Sequence, residues 1–364
     1  MASIPVADLR PGLKIANHVY TPLGGLLLQK GKVLLPRDLD ILHAFMVGYV
    51  EVDETSVNGQ REATGSHAAD LSKSSAAQNH ETEITPLDVL HKEYDRMLLL
   101  TKNAFQSVLA AELPIYELRH QLEVLIKQLK VYNVLTFAPR NINEYDYLYH
   151  NAVLCSLTSY QLAQWHGLPQ KDWMQVAFAG LLHDIGNTRI DPQILFKTGP
   201  LSEAEQDEMR MHTTYGYQQL RKTSAINEGV RLTALQHHEK MDGSGYPFRL
   251  SEEKIHIYAR IVAIADIFHA MTLNRTYRRA VSPYLVLEQI KTESFGKLNP
   301  SIVQTFVSKV TQFHNGTRVR LSNDQIGEIV FSDRNHPTRP MVSVHGKIIN
   351  LVQENNLYIE EVLN

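Results

Sequence analysis

Residues His237–Pro247 read HHEKMDGSGYP. Two adjacent imidazoles are followed by an acid and a base, then by a turn built on Gly243 and Gly245 and closed by Tyr246 and Pro247. Paired histidines also arise by chance, so this stretch decides the fold only if the rest of the chain supplies matching partners.

The partners recur at even intervals. Asp146 and His150 lie in NEYDYLYHN, His183 and Asp184 in LLHDIGN, His212 in MRMHTTYG and Asp266 in IVAIADIFHA. The intervals are 33 residues (150 to 183), 29 (183 to 212), 25 (212 to 237) and 28 (238 to 266). Each fits one helix and its connection. Each site can therefore project from a different helix into one bundle centre, which is how carboxylate and imidazole metal sites on facing helices are built. Asp146 and His150, four residues apart, share a helical face. His183 and Asp184 diverge by about 100° around a helix, so a pair at the edge of a buried face can serve two neighbouring ions, the carboxylate bridging them. AFAGLLHD and RIVAIAD place apolar runs ahead of His183 and Asp266. An Asp after such a run needs a partner, since isolated buried charge is very costly, and a cation is one such partner.

Taken singly, each residue has a plainer reading: a hydrogen-bonded core histidine, an exposed helix-face pair for Asp146 and His150, a cap or salt-bridge member for Asp266. The ordered set of eight outweighs these readings. His256, His269, His314, His336 and His345 have no matching partners and read as structural or surface residues.

Outside this set the chain divides by texture. Its 364 residues suggest two domains, or one with appendages. Residues 1–55 read as a small β-rich domain: IPVADL, HVYTPLGGLLLQKG and GYVEVDE are strand-like, and PRDLDILHAFMVG between them reads as a short helix with Leu39, Leu42 and Met46 at helical spacing. Residues 56–85, rich in Ser, Ala, Gly, Asn and charge, read as a linker that cannot bury enough surface to offset its ordering entropy. From Pro86 apolar residues recur every three or four positions, and Ser202 with Glu205 forms a capping box at one helix start. After Asn315 the pattern alternates, as in TRVRLSNDQIGEIVF and PMVSVHGKIINL, so 315–364 reads as a β appendage to a helical domain spanning 86–364. The expected class is mainly α, a helical bundle flanked by small β elements.

Composition excludes other classes. A balance of 36 basic and 39 acidic side chains, net charge -3, argues against a nucleic-acid polymer as partner. No apolar run reaches the length needed to span a bilayer, and Cys155 is the only cysteine, so an intramolecular disulfide is excluded. A cytoplasmic, membrane-free protein is expected.

The order H…HD…H…HH…D, together with HDIGN and HHEKMDGSGYP, resembles the HD-GYP family of HD-superfamily metal phosphohydrolases, over about residues 143 to 343. The resemblance implies an HD-type helical bundle and a phosphodiesterase that opens cyclic di-GMP to pGpG, further cleavage to GMP being left open, with 3′,3′-cyclic GMP-AMP the close alternative as substrate. It implies two divalent transition metal ions, iron or manganese ahead of nickel or zinc, held by His150, His183, Asp184, His212, His237, His238 and Asp266. His183 and Asp184 are the catalytic pair, and Asp184 bridges the ions that hold the attacking hydroxide. His150, His183 and Asp266 are assigned to one ion; His212, His237 and His238 to the other. Asp146 stands where the family often has a glutamate that supports a third metal, one methylene shorter here, so two ions are expected. Gly245, Tyr246 and Pro247 form a lip that contacts substrate or signalling proteins, and a homodimer is compatible with this reading.

Three departures stand out. Asn187 replaces a usual lysine, His269 a common aspartate and Thr276 a common proline. Asn187, Arg278 and Arg279 are the expected substrate contacts, the arginines gripping phosphate through paired N–H donors. The alternative expectation, motivated by Asn187 and His269, is a weak or inactive cyclic-dinucleotide receptor or scaffold.

Overall fold

The computed structural model describes residues 2–6, 9–20, 26–35, 38, 39, 42, 47, 49–52, 85–140, 143–273, 280–293, 295–312 and 315–363. The expected linker, apart from Thr85, lies outside the described residues, as do most of the short helix expected within 36–48 and the residues Thr276, Arg278, Arg279 and His314. The chain divides into two compact units, Met1–His80 and Glu81–Asn364.

In the first unit β1 (Ala2–Pro5) pairs antiparallel with β4 (Tyr49–Val52), and β2 (Val19–Tyr20) with β3 (Leu26–Leu28). Alternation along β4 turns Val50 and Val52 inward. They meet Ile15, Leu34 and Leu42 in a small apolar core.

The second unit is mainly α-helical. Helix α1 (Pro86–Ser107) starts at a capping box in which Thr85 Oγ1 accepts from the Asp88 N–H and the Asp88 carboxylate accepts from the Thr85 N–H. Leu90, Tyr94, Met97 and Phe105 line its buried face and pack with Leu118, Leu122 and Leu125 of α2 (Ile115–Ile126). Helix α3 (Tyr147–Trp165) is buried from His150 through Ser159. A helix apolar on every side belongs at the centre of a bundle, and α3 packs most extensively on α4 (Gln170–Leu182). A 3₁₀ turn (Ile185–Arg189), the short α5 (Pro192–Leu195), α6 (Glu203–Arg210), α7 (His212–Arg221) and α8 (Glu228–Gln236) follow. Helix α6 opens with the expected Ser202–Glu205 capping box. Helix α9 (Ile257–Thr272) buries its Ile261–Ala265 run against α3 and α8.

Helices α10 (Pro283–Glu293) and α11 (Pro300–Val310) lead to a five-stranded antiparallel sheet of β5 (Arg318–Leu321), β6 (Ile326–Phe331), β7 (Met341–Val344), β8 (Lys347–Asn350) and β9 (Ile359–Leu363). Its order is β8-β7-β6-β5-β9. Val319, Leu321, Ile329, Val342 and Val344 form its inner face around Tyr284 of α10.

One glycine fixes how α7 meets the end of α4. A Cβ on Gly186 would lie 1.9 Å from the His212 carbonyl oxygen and 2.4 Å from the Gly216 nitrogen, both backbone atoms. Gly186→Ala must therefore push α7 away. The expected loss is at least about 2 kcal/mol, at the upper part of the range for overpacking, measured by chemical denaturation; a variant as stable as the parent would contradict this packing.

Candidate metal centre

Helix ends carry most of this site. His183 caps the C-terminus of α4, His237 caps that of α8, and His212 opens α7. His150 and Asp266 instead lie inside α3 and α9. Asp184 does not continue the α4 helix: the chain leaves it at His183, and Asp184 leads the 3₁₀ turn. The angle between the HD pair is thus set by a helix end, where the sequence reading expected a helical step.

Position at a helix end fixes the chemistry of each imidazole. The Nδ1 of His183 donates to the Gly180 carbonyl at 2.7 Å, that of His212 to Met209 at 2.7 Å, and that of His237 to Thr233 at 3.0 Å. A carbonyl can only accept, so Nδ1 carries the proton in all three rings and Nε2 is left facing inward, the tautomer and orientation that metal-binding histidines adopt. The Nδ1 of His150 lies 2.8 Å from the Tyr94 hydroxyl.

The inward atoms gather around one carboxylate. Asp184 Oδ1 lies 3.4 Å from His212 Nε2 and 3.5 Å from His237 Nε2, while Oδ2 lies 3.5 Å from His183 Nε2. His183 Nε2 is also 3.4 Å from Asp266 Oδ1, which accepts from the Asn151 amide at 2.9 Å. Two groups result whose donor atoms all lie within 4.8 Å of one another: Asp184, His212, His237 and His238, and Cys155, His183 and Asp266.

These spacings suit a shared cation. Donors about 2.1 Å from one ion, at a tetrahedral angle, are about 3.4 Å apart. His212 Nε2 and His237 Nε2 face each other at 3.4 Å. With both protons on Nδ1, their lone pairs point at each other, an arrangement that a cation between them relieves. His183 Nε2 is buried and makes no hydrogen bond among the described residues.

Electrostatics follow the same layout. Burial would lower the pKa of His183, but the Asp184 and Asp266 carboxylates outweigh it and raise the value to about 9. Burial would raise both carboxyls, yet His183 and neighbouring imidazoles hold Asp184 well below, and Asp266 below, the usual range. Burial pushes His212 down and His238 further down, keeping both rings neutral and able to donate electron pairs.

The centre opens into a cavity of about 410 Å³ lined by Asp184, His212, His237, His238 and Asp266 together with Asn187, Lys240 and Tyr246. Tyr246 stacks on His238 with ring centroids 4.7 Å apart. Beneath it Gly245 is buried: a Cβ there would come within 2.5 Å of Glu239 Cα and His238 O, so only glycine lets the turn close behind the histidine pair. Glu239 holds the turn from inside, its carboxylate accepting from the Phe248 N–H at 2.7 Å and the Leu250 N–H at 2.9 Å.

The sequence-predicted residues therefore separate. Asp184, His212, His237 and His238 come together, as do His183 and Asp266, with Asp184 between the two groups. His150 falls in neither group, and neither does Asp146, whose carboxylate is paired with the Lys102 ammonium at 2.7 Å. Of the expected substrate contacts, Asn187 and Tyr246 line the cavity, Gly245 and Pro247 do not, and Arg278 and Arg279 lie outside the described residues. His269 joins neither group: it is buried, and its Nε2 meets Thr158 Oγ1 at 2.7 Å. Sequence reasoning did not single out Tyr94, Asn151, Cys155, Glu239 or Lys240. The spacing of four between Asn151 and Cys155, which puts them on one side of α3, was the available signal.

Residues 140–301 match the HD domain family. The chain is 32% identical over 202 residues to the cyclic di-GMP phosphodiesterase PA4108 of Pseudomonas aeruginosa, an alignment covering 56% of this chain and 48% of that protein. It is 32% identical over 154 residues to the 3'3'-cGAMP-specific phosphodiesterase 2 of Vibrio cholerae, covering 42% of this chain and 30% of the other. Among solved structures it shares its fold with Bd1817, a HDG"Y"P protein from Bdellovibrio bacteriovorus, at a TM-score of 0.52 and 18% identity, covering 84% of this chain and 97% of that one. The chain thus spans about half the length, or less, of these curated relatives.

Burial lowers the pKa of His269 from 6.5 to about 3, against a weaker pull upward from Asp266. The unfolded chain therefore takes up a proton below pH 6.5 that the folded chain refuses, so stability is full above 6.5 and falls as pH drops toward 3. Replacing the ring by His269→Gln should flatten the pH dependence of unfolding free energy between pH 6 and 4 by up to about 1.4 kcal/mol per pH unit. Parallel curves for variant and parent would rule this out.

Proposed function

This chain belongs to the HD domain family, in the form that carries the GYP sequence, and we propose that it is a metal-dependent phosphodiesterase acting on a cyclic dinucleotide. The observation that carries the proposal is the Asp184 carboxylate, with one oxygen facing His212 and His237 and the other facing His183. That arrangement fits two ions sharing one bridging acid. His212, His237 and His238 would hold one; His183 and Asp266 would hold the other. Imidazole and carboxylate donors suit iron, manganese, zinc or nickel better than magnesium, which prefers oxygen ligands and retained water; iron and manganese come first by the family resemblance.

When bound, such ions neutralise phosphate oxygens and acidify water at neutral pH. The chain's own residues do the rest. Carbonyls of the preceding helical turn hold the imidazoles in one tautomer. Tyr246 covers His238 and narrows access from the lip. Asn187 offers a neutral amide to the cavity and Lys240 a positive charge. Cyclic di-GMP, opened to pGpG, is the proposed substrate, with 3′,3′-cyclic GMP-AMP second; relatives of both kinds support this pairing. Protein partners would meet the lip where Phe248 is exposed. No helix among the described residues is long and apolar enough to cross a membrane, and a reducing cytoplasm suits the free Cys155.

Anaerobic purification with elemental analysis, then incubation with each cyclic dinucleotide under Mn²⁺ or Fe²⁺ and chromatography of the products, tests the proposal. We expect linear product, and a fall of more than about a hundredfold in rate with loss of bound metal in Asp184→Ala, beyond what the loss of an outer-shell contact causes. Because Asn187 is a neutral group in the cavity, a receptor is the second reading. Tight nucleotide binding to the metal-loaded chain without product would select it.

A further inference from the structure

Lys240 is the only lysine or arginine lining the cavity among the described residues. Its backbone is held on three sides. The Gly243 N–H donates to the Lys240 carbonyl at 2.9 Å, Gly245 packs against the Lys240 nitrogen, and neighbouring Glu239 ties down Phe248 and Leu250. The ammonium at the end of this anchored side chain makes no hydrogen bond or ion pair with any described residue. Glu293 and Asp266 act on it only through space; keeping a half-buried ammonium without a direct partner costs solvation energy, and a bound anion offsets that cost.

The charge inventory of the site says which anion. This step rests on the reading of two divalent ions given above. Their four positive charges are matched by Asp184, Asp266, a hydroxide nucleophile and the phosphodiester being cut, the histidines being neutral. Among the described residues that line the cavity Lys240 is then the one further cation, Glu293 acting on it from outside the lining, and a cyclic dinucleotide brings a second phosphodiester. We infer that Lys240 is the subsite for the second, uncut phosphate, and that it makes the cavity selective for dinucleotides over substrates with a single phosphodiester. Lysine acts here as a point charge rather than an oriented fork. The contact is equally present before and during cleavage, so it lowers KM and leaves kcat to the metal side of the site.

The test uses the metal-loaded full chain and the variants Lys240→Met and Lys240→Arg, with Lys240→Gln as a second neutral replacement should the Met variant lose metal. Readouts are metal content, kcat and KM for cyclic di-GMP, KM for bis(p-nitrophenyl) phosphate, and the affinity of a phosphorothioate analogue of cyclic di-GMP by calorimetry. The neutral variant should weaken the analogue by about tenfold or more, the scale of a charge-assisted contact, and raise KM for cyclic di-GMP alike. The loss for bis(p-nitrophenyl) phosphate should be much smaller, and arginine should recover most of the affinity. Equal analogue affinity in parent and neutral variant overturns the assignment, as do equal losses for both substrates. If the parent binds the analogue through Lys240 yet cuts no cyclic dinucleotide, the phosphodiesterase reading fails and the assignment stands. If it cuts and Lys240→Met changes nothing, the reverse holds; a parent that neither binds nor cuts overturns both.

Discussion

Backbone carbonyls at helix ends govern this molecule. The last turn of a helix leaves carbonyl oxygens without intrahelical partners; that of Gly180 is taken by the imidazole that caps α4, while that of Thr233 accepts both the backbone N–H and the imidazole of His237, which caps α8. The Met209 carbonyl, ahead of α7, accepts from the His212 imidazole. One hydrogen bond per ring fixes the ring's orientation and commits a proton to Nδ1, so that Nε2 is the atom facing inward. Three such atoms gather around the Asp184 carboxylate, an arrangement that suits a shared cation. On the proposed reading, metal binding follows from how the helices end.

For these ends to meet, the backbones must come closer than side chains normally permit. Gly186 lets α7 lie against the turn after α4, and Gly245 lets the loop fold beneath the paired histidines. The buried helices α3 and α9 supply the rigid backing, and Asn151 of α3 orients Asp266 of α9 across their interface. Tyr246 and Glu239 complete the rim, one covering His238 and the other anchoring the loop. The rim and the centre are therefore one cooperative piece, and a change in either reaches the other.

Much of this was legible in the sequence, for definable reasons. The residue types and their even spacing marked the histidines and acids, although the intervals 183–212 and 212–237 each hold two helices where the sequence reading expected one. The apolar runs before His183 and Asp266 marked their burial. The capping box at Ser202 and the alternation after Asn315 were local signals, and both elements formed. What local pattern could not carry was tertiary. Asp146 precedes α3 in a short 3₁₀ turn, and Lys102, far off in the chain, takes its carboxylate. The placing of His183 and Asp184 at a helix end depends on where α4 stops, a boundary that periodicity leaves open by a residue or two. Strand β9 shows no clean alternation, and its pairing with β5 is set by the sheet it joins. Lys240 looks like any charged loop residue until the fold turns it into the cavity.

The most direct measurement is anomalous diffraction from crystals grown anaerobically with Mn²⁺. The account predicts two peaks roughly 3.5 to 4 Å apart, one bounded by Asp184, His212, His237 and His238, the other by His183, Asp184 and Asp266. A map with no anomalous density among these side chains, from protein that elemental analysis also finds free of manganese, iron and zinc, would contradict it.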